Sequence, residues 1–218
     1  MEFQPWPSIS RLNKDAVYTE KIDGTNAALV IERIASTGGT CTTWELESLG
    51  WSGSEAVVYH ATGVYLVAAQ SRKRFITPGD DNFAFAKWVH DNASQLVEVL
   101  GEGRHFGEWW GSGIQGGYGL PKGERRFSLF NVKRWETVLS HEYGHALVPE
   151  LYRVPILGVS RFHTGTAQWH VGQLREHGSV ASPGFMKPEG VVVFHTASGT
   201  LYKTFLENDL IPKSLQNV

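Results

Sequence analysis

The stretch "EKIDGTN", Glu20 to Asn26, decides how the rest of the chain is read. Asp23-Gly24 is a common tight-turn pair between strands, and nothing else in the seven residues needs a function if that is all it is. The alternative is that Lys21, at a strand end beside a tight turn, projects rigidly into a cleft. A lysine amine is nucleophilic only when deprotonated, so such a site needs neighbouring cations or desolvation to work. Whether the turn or the lysine matters depends on what the remaining sequence supplies.

Outward from this stretch, most of the chain reads as short strands. "NAALVIERI" (Asn26–Ile34) is apolar and β-branched, "STGGT" (Ser36–Thr40) is a turn, and "CTTWELE" (Cys41–Glu47) alternates, which predicts a hairpin. "AVVYH" and "VYLVAAQS" around "ATG" predict another. Asp80–Gly103 is the clearest helical stretch, with Phe83, Trp88, Leu96, Val99 and Leu100 as apolar faces, Asp80 or Asp81 as N-cap, Gly101 as stop and Asn92 as a point of division. "RHFGEWW", "RRFSLFNV", "YRVPILGV", "EGVVVFH" and "GTLYKTFL" are strand-like, and "TAQWHVGQLREHG" (Thr166–Gly178) predicts a short helix. Strands in hairpin order with few helices predict an α+β fold on antiparallel sheets, organised as one domain over residues 1–218.

Composition narrows the class. With 218 residues, 41% hydrophobic and 19% charged, the chain is globular rather than disordered. A net charge of -2 gives no global field for nucleic acid, so any such surface is a local patch; Arg72-Lys73-Arg74, Arg125-Arg126 and Lys133-Arg134 are the basic clusters. Cys41 is the one cysteine, which excludes an intramolecular disulfide or a thiolate zinc cluster and fits a reducing, cytoplasmic setting. The N-terminal residues lack the basic start and apolar run of a signal peptide, and no apolar run is long enough to span a membrane.

Two familiar patterns fit their context poorly: the zinc peptidase stays a third rival reading, and the dinucleotide fingerprint is rejected. "HEYGHAL" (His141–Leu147) contains H-E-x-x-H, which in zinc peptidases puts two imidazoles on one helix face. Gly144 and Pro149 make a poor helix, and no third ligand follows at a workable distance. "GSGIQG" (Gly111–Gly116) fits G-x-G-x-x-G, but "GYGLPKGE" after it cannot begin the helix that would receive a pyrophosphate.

The lysine has better company. Glu108 in "FGEWWG" and Glu189 in "KPEGVVVF" sit on or beside apolar strands that hold a carboxylate rigidly, and Lys203 lies in "LYKTF". A nucleophilic lysine, metal-holding carboxylates and a second cation suit phosphoryl-type transfer. The order "EKIDGTN", "SRKR", "FGEWWG", "FSLFNV", "EGVVV", "LYKTF" resembles the collinear motifs of the ATP-dependent covalent nucleotidyltransferases, the polynucleotide ligases and mRNA capping enzymes. The resemblance spans Glu20 to about Leu206, and Asn26, where DNA ligases and capping enzymes usually carry Arg, is similar to the RNA ligase branch.

That resemblance implies an ATP-grasp-like nucleotidyltransferase domain of antiparallel sheets with flanking helices. It implies ATP as AMP donor and Mg²⁺ or Mn²⁺ as cofactor, and a nucleic acid with 5′-phosphate and 3′-hydroxyl ends, RNA preferred, as partner; a DNA nick is the alternative substrate, and a nucleotide-binding module without ligation the alternative from another class. By position, Lys21 would attack the α-phosphate, Asp23 and Asn26 would orient the lysine and the ribose or phosphate, and Glu20 would read the adenine amino group. Arg72 would lie near the ribose and acceptor strand, Glu108 would bind ribose or metal, and Phe127 or Phe130 would lie by the adenine. Glu189 would help place the metal and Lys203 would contact the α-phosphate. The family's last motif usually carries two lysines as K-x-K. Here either Phe205 replaces the second or Leu201 the first, so one cation is missing from that strand face. The sequence after this motif is too short for an OB-fold or other C-terminal domain.

Overall fold

A computed structural model describes residues 2–36, 40–136, 139 and 146–207. His141, Glu142 and His145 of the zinc-like pattern, and residues 37–39 of the expected turn, lie outside the described residues.

The chain folds as two compact units, one made of residues up to Ile22 together with those from Val154 onward, the other of Asp23–Arg153. The first unit holds a four-stranded antiparallel sheet in the order β11 (Thr200–Phe205), β10 (Gly190–His195), β1 (Asp15–Lys21), β9 (Ile156–Arg161). Side chains alternate between faces along a strand. Ala16 and Tyr18 of β1 and Val191 and Val193 of β10 therefore share a face, and they bury against Ala167, Val171 and Leu174 of helix α4 (Thr164–His177). Those helix residues recur at the spacing of one helix face. The helix is capped at its start by His163, which accepts from the Gly165 amide at 3.0 Å, and Arg175 and His177 in its last turn complement the dipole.

The second unit holds a seven-stranded sheet. Its main path runs β3 (Ala56–His60), β4 (Gly63–Ser71), β2 (Thr25–Ala35), β6 (Gly103–Gly111), β7 (Arg125–Leu129), β8 (Leu151–Arg153), with the short β5 (Phe75–Ile76) pairing on β4. The pairs are antiparallel except β7–β8, which is parallel. Helices α2 (Phe85–Asp91) and α3 (Ala93–Leu100) meet at Asn92, the expected division, and cover one sheet face. The core there includes Leu29, Ile31, Val67, Trp88, Leu96, Trp109, Phe127 and Leu129. The mixed α+β class on antiparallel sheets is the one the sequence predicts.

Two local expectations change. Residues 41–47 do not return as a strand; Thr43–Ser48 forms helix α1. Thr42-x-x-Glu45 is a capping box, the Thr42 amide donating to Glu45 Oε2 at 2.7 Å and the Glu45 amide to Thr42 Oγ1 at 3.3 Å. Those local bonds outweigh a weak alternating pattern, and β2 pairs instead with β4 and β6. Asp23-Gly24 is also no hairpin turn, since β1 and β2 belong to different sheets. After "GSGIQG" comes only a three-residue 3₁₀ turn, Gly117–Gly119. Among the described residues no helix is long and apolar enough to cross a membrane.

Candidate active site

In the four-stranded unit, Lys21 ends β1 on the face opposite helix α4. Its Nζ donates to Glu189 Oε2 at 2.5 Å, and the two side chains are 23% and 11% exposed. Glu189 immediately precedes β10, where Gly190 pairs with Lys21, so the carboxylate is delivered by the neighbouring strand. Lys203, on β11, pairs with Val192, which pairs with Thr19. It therefore shares the face of Lys21. Phe205 pairs with Gly190 and stands in the Lys21 row; its ring centroid lies 5.5 Å from Lys21 Nζ and 5.2 Å from Lys203 Nζ. Lys21, Glu189 and Lys203 are thus brought together.

Glu20 points the other way. It is 1% exposed, and its carboxylate accepts from Ser179 Oγ at 2.6 Å and from the Val180 and Ala181 amides at 2.8 and 2.9 Å. The expectation that it reads the adenine amino group from beside Lys21 meets strand alternation: consecutive residues face opposite sides of a sheet. Its side chain contacts the loop that follows α4. The loop residues Ser179, Val180 and Ala181 had no signal in the sequence beyond "GSVAS".

In the other unit, Glu108 on β6 is 7% exposed and bridges back to the start of β2. Oε1 accepts from the Gly24 amide at 3.1 Å and Oε2 from Asn26 Nδ2 at 2.7 Å. Gly24 is required there by space: a Cβ would meet the Trp109 carbonyl oxygen at 2.5 Å and Trp110 Cβ at 2.7 Å. Asn26 is exposed and Asp23 half-buried. In register, Asn26, Glu108, Ser128 and Tyr152 form one row across four strands. Trp110 Nε1 donates to Ser128 Oγ at 2.9 Å, and the Arg126 guanidinium lies 5.6 Å from the Trp110 ring and 4.8 Å from the Tyr152 ring. Trp110 and Arg126 are polar-face residues that alternation from Glu108 would have found.

Of the two aromatic candidates, Phe127 belongs to the core. It is 0% exposed, its ring 5.1 Å from that of Phe85 and 5.7 Å from that of Trp88. Alternation on β7 sends Phe127 to the helix side and Ser128 to the Glu108 side. Phe130 is 43% exposed, and its amide donates to the Phe106 carbonyl at 3.0 Å. Phe106, 52% exposed and two residues before Glu108, falls on the Glu108 face by the same alternation. Arg72 is exposed in the Ser71–Arg74 turn between β4 and β5, whose Arg74 pairs with Asp80 at 2.6 Å.

Among the described residues no cluster of three or more acidic, histidine or cysteine side chains could hold a metal. A site of one or two carboxylates completed by substrate phosphates and waters needs no such cluster, and carboxylate oxygens are the donors that Mg²⁺ and Mn²⁺ take. Glu108 in one unit and Glu189 in the other each offer such a carboxylate.

The RNA ligase family model matches residues 14–203, most of the chain, from before "EKIDGTN" to Lys203 of the last motif. The chain belongs to the RNA ligase family. A search of curated protein sequences finds no match. Solved structures of Naegleria gruberi RNA ligase are similar to this RNA ligase family member. A variant with ATP and Mn aligns with a TM-score of 0.53 at 15% identity, over 90% of this chain and 51% of that one. The Naegleria protein with PPi gives 0.51 at 17% identity, over 88% and 50%, and a variant with AMP and Mn gives 0.52 at 16% identity, over 89% and 50%. The likeness is one of fold, and this chain spans about half the length of the solved ligase chains it matches.

Proposed function

We propose that this chain is an ATP-dependent RNA ligase that joins 5′-phosphate to 3′-hydroxyl ends through AMP carried on Lys21. The observation that carries the proposal is the contact between Lys21 Nζ and Glu189 at 2.5 Å, with Lys203 on the same sheet face. The Lys21 amine attacks the α-phosphorus of ATP; the N–P bond forms and the bond to the pyrophosphate oxygen breaks. Glu189, already in contact with Nζ, receives the proton, and Lys203, on the same sheet face, is assigned to balancing charge that grows on the phosphoryl oxygens. A bound Mg²⁺ or Mn²⁺ would withdraw charge from the phosphates, held by Glu108 or Glu189. The 5′-phosphate of an RNA strand then takes AMP from Lys21, which recovers its proton, and a 3′-hydroxyl displaces AMP to form the phosphodiester.

Other roles follow the exposed groups. Within Asp23–Arg153, Asn26 and Glu108 are assigned to the ribose hydroxyls, and Asp23 to orienting the nucleophile next to it in sequence. Phe130, whose ring is exposed where that of Phe127 is not, is assigned to stacking on adenine. Arg72, exposed on its turn, is assigned to the acceptor strand. Glu20 contributes through the loop it anchors. The single cysteine fits a cytoplasmic setting.

Incubation with α-labelled ATP and Mg²⁺ or Mn²⁺ is expected to leave label on the wild-type protein and none on Lys21→Ala. Adding 5′-phosphorylated RNA should discharge the label and, with a 3′-hydroxyl end present, yield a sealed strand. Label persisting on Lys21→Ala would overturn the assignment, and sealing of DNA nicks in preference to RNA would correct the substrate.

A further inference from the structure

The face of the four-stranded sheet that carries Lys21 has an aromatic ring near two ammonium groups. Lys21 and Phe205 lie on strands that flank β10, two strand spacings of about 4.8 Å apart. The residue between them is Gly190, where a Cβ would meet the Thr204 carbonyl oxygen at 2.1 Å and Phe205 Cα at 2.9 Å. With no side chain in the middle of the row, the Phe205 ring comes within 5.5 Å of Lys21 Nζ. Lys203, two residues earlier on β11, brings its own Nζ to 5.2 Å of the same ring. Both distances are inside the ~6 Å at which a ring's negative face attracts a cation. The chain beyond the ring is fixed too, the Leu206 amide donating to the Glu189 carbonyl at 3.1 Å.

Lys203 is exposed, and its ammonium makes no ion pair among the described residues. A long exposed lysine samples many rotamers unless a contact holds it. The ring supplies that hold. We propose that Phe205 is a positioning residue for adenylylation: its π face gathers the Lys203 and Lys21 ammonium groups onto one side of the sheet, where both meet the triphosphate of ATP. This rests on the proposed lysyl-AMP chemistry and deepens it. The residue two places beyond Lys203, where a second cation would otherwise repel Lys21, instead attracts both.

The test is the rate of lysyl-AMP formation in single turnover on the full chain, with Phe205→Leu and Phe205→Met as ring-free variants and Phe205→Tyr as the conservative one. Thermal unfolding selects folded variants. At saturating ATP the ring-free variants should adenylylate about threefold to tenfold more slowly, with the ATP concentration at half-maximal rate moved less than about twofold. Phe205→Tyr should stay within about twofold of wild type, since the phenol keeps the π face. In a Lys203→Ala background, replacing Phe205 by Leu should cost less than it does in wild type, because the cations it gathers are then one fewer. Wild-type rates in both ring-free variants, or a Tyr variant as slow as Leu, overturn the inference while leaving the lysyl-AMP reading intact. No label on the wild-type protein overturns both.

Discussion

Glu108 is held by two donors of different kinds, the Gly24 amide and the Asn26 amide side chain. The Asn26 bond is part-buried and reaches a carboxylate oxygen, so its loss should be felt by the carboxylate and by any ribose it meets. Asn26→Ala should lower the rate of lysyl-AMP formation about tenfold, the equivalent of one such bond. Asn26→Asp should fall about tenfold further, because a second carboxylate would face Glu108 where an amide donor stood. Equal rates for the two variants would show that charge at this position is immaterial. Lys21, Glu189 and Lys203 were readable in sequence because each lies in a short stretch whose neighbours are strand-like, and strands keep motif residues in register. Phe205 was readable only as one of two places, with Leu201, for a missing lysine; its use as a ring beside two cations depends on the gap at Gly190, which register alone reveals. Choosing between Phe127 and Phe130 needed the strand's face assignment, and that comes from helices α2 and α3 covering one side.

At the scale of elements, strand alternation decides more than motif content does. Glu20 and Lys21 are neighbours in one motif, yet β1 sends one to α4 and its loop and the other to the open face. Most strands and the division of the helical stretch at Asn92 were legible because apolar runs and breakers coincide, but "YRVPILGV", read as one strand, parts at Val154-Pro155 into β8 and β9 of different sheets. The short helix α1 was not, because its Thr42-x-x-Glu45 box sits inside an alternating pattern that also fits a strand. The Glu20 assignment has a consequence for the loop. Glu20→Ala would leave the Val180 and Ala181 amides without their acceptor, at about 1–3 kcal/mol for each donor that stays buried. Glu20→Gln keeps one carbonyl oxygen for the two amides and should cost about 1 kcal/mol. Native-state hydrogen exchange should show the Val180 and Ala181 amides opening faster in Glu20→Ala than in Glu20→Gln, with β2 and β6 amides unchanged. Unchanged exchange at Val180 in Glu20→Ala would mean that the loop holds without its anchor.

At the scale of the whole molecule, each unit buries a histidine whose pKa burial lowers. His170 of α4 lies on the Tyr18 ring at 4.9 Å, and burial lowers its pKa. His105 of β6 is 1% exposed, with Nε2 3.0 Å from the Gly101 carbonyl oxygen and the ring edge-on to Trp135 at 5.2 Å. Burial is the main cause that lowers its pKa to about 4; the Gly101 bond opposes the shift and the Arg134 charge adds to it. The folded value lies below the unfolded one near 6.5, so the neutral ring's contribution is complete above pH ~6.5. As pH falls the unfolded chain takes up a proton that the folded chain refuses until about pH 4, and the loss by then is on the order of 3 kcal/mol. His170 acts in the same direction in the other unit. Acid should therefore weaken both units, the one containing β6 through His105. His105→Gln keeps a donor for Gly101 without titrating in this range. Urea unfolding followed by hydrogen exchange at β6 amides should show stability falling more steeply between pH 6.5 and 4 in wild type than in His105→Gln. Parallel slopes in the two proteins would mean that His105 takes up its proton as readily folded as unfolded, which its enclosure between Gly101 and Trp135 argues against.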